Sequence, residues 1–453
     1  MKRIIIYIAL AVIVSGCSVY RKFPQHSEVT DNLFGAEYAS ADTTTIATMS
    51  WRELFTDIHL QRLIDSALVR NTDMQTAHLR TKQAEAVLMN AQLSYLPSLG
   101  LTADGSLGKS GNNTSSTYSF GATASWELDI FGKITNAKRG AREAFEASKA
   151  YKQAVQANLI ATVANGYYTL LMLDEQLRIS NATLESWKKS VGVLESLKRS
   201  GGGITDAAVL QARANCMALE SGIVSIEKSI KETENMLCTI LFIPPRGVTR
   251  GTLKEQSFPK ELSVGIPVQL LANRPDVQVA EHRLAQAFYA TNQARSAFYP
   301  SITLSGTLGW TNSGGGVELN PAGWLLNAIG SLVQPLFNRG ANIANLNIAK
   351  AEQEAATLSF QQSLLNAGAE VNNALTALQS AHRKLEIDGN QVSTLCKAVR
   401  KTELLMRHSS SNYLDVLTAQ QSLLSAEQAV AQDLFDEIQS IISLYHALGG
   451  GTK

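Results

Sequence analysis

The sequence predicts a mostly α-helical, internally duplicated chain in which four amphipathic β-strands interrupt very long helices. Three observations carry this. None of the 10 prolines falls between Pro97 and Pro244 or after Pro335, and proline-free tracts permit long helices. Landmarks recur in the same order at a nearly constant spacing. Four stretches alternate apolar and polar residues with a period of two, as a strand between two unlike surroundings does.

The long helices come first. From Ile134 to about Arg199 the chain is rich in Ala, Leu, Glu, Lys and Gln, with Gly140, Gly166 and Gly192 its only glycines. Such a helix of about 65 residues measures roughly 100 Å at 1.5 Å per residue, more than a globular domain needs. A coiled-coil or barrel-like stack accommodates it.

The duplication is read from three landmarks. Tyr95-Leu96-Pro97-Ser98 answers Phe298-Tyr299-Pro300-Ser301 at an offset of 203, and Asp129-Ile130-Phe131-Gly132-Lys133 answers Pro335-Leu336-Phe337-Asn338-Arg339 at 206. Val209-Leu210-Gln211-Ala212 answers Val416-Leu417-Thr418-Ala419 at 207. Each half then reads helix, strand, strand, very long helix, turn, helix. In the first half these are a helix over 58–94, strands at 98–108 and 117–130, a long helix to 199, a break at Gly201-Gly202-Gly203 and a helix to 241. In the second they are a helix over 275–297, strands at 301–311 and 323–336, a long helix to 407, a break at Ser409-Ser410-Ser411 and a helix to 447. Asn273-Arg274-Pro275-Asp276 opens the second half as a helix start, with Pro in the first turn and Asp favourable to the dipole. The expected division is a signal segment 1–16, an extended N-terminal segment 17–57, a first repeat 58–241, a proline-rich junction 242–268, a second repeat 269–447 and a flexible tail 448–453.

In the strands, Leu99, Leu101, Ala103 and Leu107 oppose Thr102, Asp104 and Ser106, and Phe120, Trp126, Leu128 and Ile130 oppose Ser119, Ser125, Glu127 and Asp129. Ile302, Leu304, Leu308 and Trp310 oppose Ser301, Thr303, Ser305 and Thr307, while the fourth strand alternates less cleanly. A membrane barrel with a wet lumen gives this pattern, with Glu127 and Asp129 facing the lumen. A soluble half-buried sheet gives it too. Four strands enclose no lumen, since single-chain bacterial barrels start at about eight, so the membrane reading requires several copies of the chain.

The N-terminus favours the membrane. Lys2 and Arg3 precede an apolar run over 4–14, too short to span a bilayer but suited to a signal peptide. The following Val14-Ser15-Gly16-Cys17 resembles a lipobox, in which Cys17 becomes the lipidated first mature residue, and Ser18 behind it favours sorting to the outer membrane. A plain signal peptide that contains Cys is the alternative. Cys216, Cys238 and Cys396 have no metal-ligand spacing, and buried free thiols are expected.

Other chemistry is poorly supported. The 40 basic and 39 acidic residues leave a net charge of +1 with no basic cluster, which argues against nucleic acid. Gly105-Ser106-Leu107-Gly108-Lys109-Ser110 resembles the end of a P-loop, but its first glycine is replaced by Ala103 and no helix is expected after it. The 7 histidines are scattered, without HExxH. Asn113-Thr114-Ser115 fits a glycosylation sequon and is read more simply as a polar loop between strands. Glu127 and Asp129 lie two apart on one strand face, as in a glycosidase pair, without a sugar cleft to serve.

Together the residues resemble the outer membrane factor family, the TolC-like channels, and most closely its lipoprotein branch serving RND efflux pumps. The resemblance rests on Tyr95-Leu96-Pro97-Ser98, Trp126 to Lys133 (WELDIFGK), Leu270 to Val277 (LLANRPDV) with Ala280-Glu281, Ala297-Phe298-Tyr299-Pro300-Ser301, and Tyr413-Leu414-Asp415-Val416-Leu417 with Ala419-Gln420. It implies a homotrimer in which each chain gives four strands to a 12-stranded outer-membrane barrel, and the helices form a periplasmic tunnel. It also implies a periplasmic adaptor, an inner-membrane RND transporter and outer-membrane lipid as partners, no enzyme activity, and no cofactor beyond the lipid on Cys17.

The same resemblance places a periplasmic gate at Leu414, Asp415 and Thr418, and adaptor docking at Gly201, Gly202, Gly203, Ser409, Ser410 and Ser411. Two departures stand out. Thr418 replaces an acidic residue common in the family, leaving one acidic ring from Asp415, and the tips carry three glycines or three serines where a single glycine is usual. Asp415 also suits a plain helix N-terminus, and the tips suit plain hairpin turns. Drug efflux is the preferred function. Type I protein secretion and metal efflux use similar channels, and a non-conducting lipid-anchored periplasmic scaffold is the alternative of another class.

Overall fold

The computed structural model describes residues 46, 49–111, 113–201, 204–258, 274–311, 324–407 and 413–452. Their elements run α1 (Trp51–Leu54), α2 (Ile58–Arg70), α3 (Thr72–Leu93), β1 (Ser98–Ser110), β2 (Asn113–Leu128), α4 (Lys133–Arg199), α5 (Asp206–Ile240), a 3-10 turn (Leu253–Glu255), α6 (Pro275–Ser296), β3 (Ser301–Thr311), β4 (Trp324–Val333), α7 (Ala341–Arg407) and α8 (Tyr413–Ala447). The duplication is carried by matched lengths: α4 and α7 hold 67 residues each, α5 and α8 hold 35 each.

The expected helix over 58–94 is two helices, broken at Asn71. Its backbone leaves the helix at ψ 132°, and its Oδ1 accepts from the N–H groups of Asp73 and Met74, so it caps the restart as α3. The N-terminal segment expected to be extended contains α1, closed by a capping box between Ser50 and Glu53. Asn113, Thr114 and Ser115 belong to β2 rather than to a loop. The strand expected to reach residue 130 ends at Leu128, and the one expected to reach 336 ends at Val333.

The tail expected to be flexible is packed as far as it is described. Leu448 is fully buried, and Gln156 Nε2 donates to the Gly451 carbonyl at 3.0 Å. Gly449 and Gly451 take φ of 84° and 83°, a conformation that an L side chain resists, and so let the chain turn back after α8. Cys216 and Cys238 are buried, as expected; Cys396 is exposed on α7, which corrects that expectation.

The chain forms two compact units. Of the described residues, one takes those within 79–150 and 278–363 and holds the sheet; the other takes those within 46–78, 151–277 and 364–452 and holds the main core. That core gathers Trp51, Leu54 and Phe55 from and beside α1, Leu60 and Ile64 from α2, and Tyr167 and Tyr168 from α4, against Ile442 and Leu444 of α8. Burying a side chain of this size contributes about 1.5–3 kcal/mol. Its polar hub is Asp57, which caps α2 through His59 N and accepts the Tyr167 hydroxyl at 2.5 Å and Gln256 Nε2 at 3.1 Å. Arg250 pins the junction by pairing with Asp174 and Glu234.

Two clamps in this unit repeat the duplication. Asn71 Nδ2 donates to the carbonyl of Ile240, the last residue of α5, at 2.9 Å. Arg274 Nη1 donates to the carbonyl of Ala447, the last residue of α8, at 2.6 Å. Each satisfies a carbonyl that a helix end leaves without an internal partner. Arg274 is also held by Asp276 and Glu370, both at 2.7 Å.

Candidate functional site

The four strands form one antiparallel sheet in chain order. Leu101, Ala122, Leu308 and Leu326 stand in one row across it, and Gly100, Thr123, Thr307 and Asn327 in another. Side chains alternate between faces, so most apolar residues of the four strands share one face and most polar ones the other, Lys109 at the end of β1 being an exception. Ile329 and Val333 break the pattern on β4, the strand expected to alternate least cleanly. The apolar face is uncovered: Leu99, Leu107 and Leu326 are about four-fifths exposed. Among the described residues this apolar face lies between two edges that no strand pairs, and such a face calls for further partners.

The turn from β2 into α4 is built by polar bonds. Asp129 lies beyond the end of β2, and its carboxylate accepts from the N–H groups of Ile134 and Thr135 at 2.8 and 2.7 Å. The strand position expected for Asp129 is therefore corrected to a helix cap. Glu127 remains on the polar face of β2 and pairs with Lys133 Nζ at 2.8 Å. Trp126 keeps its apolar-face position and donates Nε1 to the Tyr95 carbonyl at 2.8 Å. Gly132, with φ of 66°, makes the turn, and Phe131 stacks on Tyr299 at 5.1 Å.

In the second repeat the turn is made by Arg339 and Gly340, with φ of 47° and 79°, and α7 starts at Ala341 where α4 starts at Lys133. The structural offset here is thus 208, not the 206 suggested by aligning Phe131 with Phe337. Phe337 takes the place of Asp129 and is 86% exposed. Replacing Asp129 by Ala is expected to destabilise the protein by about 1–2 kcal/mol, with Asp129→Asn retaining part of the cap. The unfolding midpoint in detergent checks it; an Ala variant as stable as the parent would remove the capping role.

At the helix tips, Leu414, Asp415 and Thr418 lie together on one exposed face at the start of α8, while Val416 and Leu417 are buried. Leu417 packs with Leu194 of α4 and with Val209 and Ala212 of α5. Thr418 Oγ1 donates to the Leu414 carbonyl at 2.8 Å, so its hydroxyl is spent within the helix. Asp415 stands in the first turn, where a carboxylate favours the dipole. Gly201, with φ of 78°, follows α4; Gly202, Gly203, Ser409, Ser410, Ser411 and Cys17 lie outside the described residues.

The clamps of Asn71 and Arg274 were not read from the sequence. Arg274 belongs to the quoted LLANRPDV signature, but its partner carbonyl lies 173 residues away. The Asp129 cap left a local signal, a carboxylate just ahead of a helix start.

Residues 63–241 and 266–450 match the profile of a single family, described as outer membrane efflux protein, once in each repeat. The chain belongs to the outer membrane efflux protein family. It is 31% identical over 407 residues to the cation efflux system protein CusC of Escherichia coli K12, with 88% of each chain covered. It is 28% identical over 461 residues to the antibiotic efflux pump outer membrane protein ArpC of Pseudomonas putida, covering 97% of this chain and 94% of that one. A crystal structure of CusC superposes with a TM-score of 0.87 at 28% identity, over 95% of this chain and 99% of that one. The TolC-like fold expected from the sequence is therefore the fold of this outer membrane efflux protein, whose family transports and does not catalyse. Residence in the outer membrane accounts for the bare apolar face of its sheet.

Proposed function

We propose that three copies of this chain form the outer-membrane channel of a tripartite RND-type efflux pump, anchored by a lipid on Cys17 and conducting drugs or other small molecules passively. The observation that carries this is the open four-stranded sheet with its bare apolar face. In a bilayer every strand edge must be closed, and three such sheets supply twelve strands, above the smallest single-chain barrel of about eight. A periplasmic adaptor docks at the tips, including Gly201, and an inner-membrane transporter supplies the energy. Glu127 faces the lumen, and Asp415 forms one acidic ring at the gate beside Leu414 and Thr418.

Metal efflux is the second reading, favoured by the likeness to CusC, named for a cation efflux system. ArpC, about as similar, is named for an antibiotic pump, so channel likeness does not follow cargo. A deletion strain is expected to become several-fold more susceptible to lipophilic drugs and dyes, with wild-type chain restoring resistance and Asp415→Ala raising single-channel conductance. Sensitivity confined to transition-metal cations would transfer the function to the second reading. Normal sensitivity with one secreted protein lost would overturn both in favour of protein export. A purified chain that conducts nothing in planar bilayers would leave only a scaffold.

A further inference from the structure

The internal repeat extends to the long helices, and there the ion pairs of the two halves differ. α4 and α7 have equal lengths at an offset of 208, and α5 and α8 at an offset of 207, so each position of the first pair has an image in the second. In the first repeat two ion pairs tie α4 to α5: Lys188 Nζ meets Glu220 at 2.6 Å, and Arg213 Nε donates to Glu195 at 2.9 Å. The images of Glu195 and Glu220 are Glu403 on α7 and Glu427 on α8, so both carboxylates are kept. The images of Lys188 and Arg213 are Cys396 and Gln420, so both cations are gone.

What remains is a cavity rich in acceptors. Glu403, Gln420 and Glu427 line an open space of about 280 Å³ between α4, α7 and α8. Gln420 Nε2 donates to Glu403 at 3.1 Å, which fixes the orientation of the amide. Gln420 is 6% exposed, and its Oε1 is buried without a hydrogen-bond partner among the described residues. An acceptor so placed calls for a donor. Glu427 has neither a hydrogen bond nor an ion pair among the described residues. Burial pushes its carboxyl above the ordinary value, while Arg178 and Lys254 pull it down and Glu175 pushes it up. Arg178 also lines the cavity, but its Nε and Nη2 are both bonded to Glu175 at 2.8 Å. Ile179 and Trp187 of α4, with Leu423 and Leu424 of α8, make the wall apolar between the polar groups.

We propose that this cavity binds an aliphatic di- or polyamine, whose ammonium groups supply from outside the two cations that Lys188 and Arg213 supply from within the first repeat. One ammonium lies between the Glu403 carboxylate and the Gln420 Oε1, and another meets Glu427. Gln420 and Glu427 are two turns apart on α8, about 10.5 Å along its axis, so a single ammonium does not serve both ends. An ammonium brings the N–H donors that the Gln420 oxygen lacks, and a methylene chain suits the apolar wall between the two ends. A metal ion fits less well: among the described residues no group of three His, Cys, Asp or Glu side chains could hold one. The site is independent of the cargo that the channel exports.

Calorimetric titration of the full-length protein in detergent with spermidine tests the site. The parent protein is expected to bind spermidine and to unfold at a higher temperature in its presence, as a ligand of the folded form causes. Glu403→Gln and Glu427→Gln each remove one charged acceptor and are expected to weaken binding about tenfold or more. Butylamine, with one ammonium, is expected to bind about tenfold or more weakly than spermidine for the same reason. Cys396→Lys combined with Gln420→Arg rebuilds both ion pairs of the first repeat within the chain, and is expected to abolish binding in a protein no less stable than the parent. No binding to the parent, parent-like affinity in the rebuilt protein, or equal affinity for butylamine would overturn the site. So would an equal rise in unfolding temperature with magnesium chloride at the same concentration of charge, which would mark diffuse electrostatics. Should the rebuilt protein fail to fold, unchanged spermidine affinity in both glutamine variants would overturn the site as well.

Discussion

Replacing Arg274 by Ala is expected to cost the chain about 3 kcal/mol of folding stability. The side chain is 4% exposed and binds three groups at once: the Ala447 carbonyl that ends α8, the Asp276 carboxylate in the first turn of α6, and Glu370 on α7. Removing one partner of a buried ion pair costs about 3–5 kcal/mol when the other charge stays buried. Here Asp276 and Glu370 are each about half exposed and regain water, so the lower end applies. The Ala447 carbonyl, by contrast, is left with an empty neighbour. Its counterpart, Asn71→Ala, removes neutral bonds to the Ile240 carbonyl and the start of α3 and is expected to cost about 1–2 kcal/mol.

A pH series isolates the effect of the Arg274 charge on a neighbouring histidine. Burial first, and then the Arg274 charge, hold the neighbouring His446 below its ordinary value of 6.5, while Glu370 and Asp276 pull the other way. A histidine depressed in the fold withdraws stability as pH falls through its unfolded value, because the unfolded chain binds the proton more readily. Arg274→Ala relieves part of that depression. Its deficit should therefore be smaller near pH 5.5 than near pH 8. Unfolding midpoints of both proteins in detergent measure this, and a deficit equal at the two pH values would mean that the Arg274 charge does not act on His446.

The long elements were legible because their signals are additive over many residues. Proline-free helical composition placed both ends of α4 to within a residue and the end of α7 at Arg407, and period-two alternation gave four strands. What escaped depends on single side chains. Asn71 breaks a helix whose composition continues across it, because one amide captures two N–H groups and a distant carbonyl. Asp129 continues the alternation of β2 and so reads as a strand residue, yet the helix N–H groups behind it offer a carboxylate more than a lumen does. The gate candidates were legible only by resemblance. The fold then explains their grouping, since burying Val416 and Leu417 turns Leu414, Asp415 and Thr418 outward.

Replacing Gly309 by Ala is expected to destabilise the sheet by about 1–3 kcal/mol, the usual cost of forcing atoms into filled space. Gly309 stands directly opposite Gly121 on the polar face of the β2–β3 pair. A Cβ on Gly309 would collide with the Phe120 carbonyl oxygen and the Gly121 Cα, and one on Gly121 would come within 2.8 Å of the Leu308 carbonyl oxygen. These are backbone atoms held by the ladder, so the strands must separate. At Gly100 the new Cβ would meet only the Thr123 hydroxyl at 3.2 Å, and that side chain can rotate. Gly100→Ala should therefore be tolerated within about 0.5 kcal/mol, as substitutions that need no backbone shift usually are. The β2–β3 pair is also the only strand contact between the two hairpins of the described sheet, so loosening it separates the repeats. Because Gly121 and Gly309 share one gap, the double Ala variant should lose less than the sum of the single losses: the first Cβ has already spread the strands. Midpoints of heat-induced loss of the folded form on gels check the order. Additive losses, or Gly309→Ala as stable as Gly100→Ala, would show that the close approach of the two backbones is not what glycine is needed for.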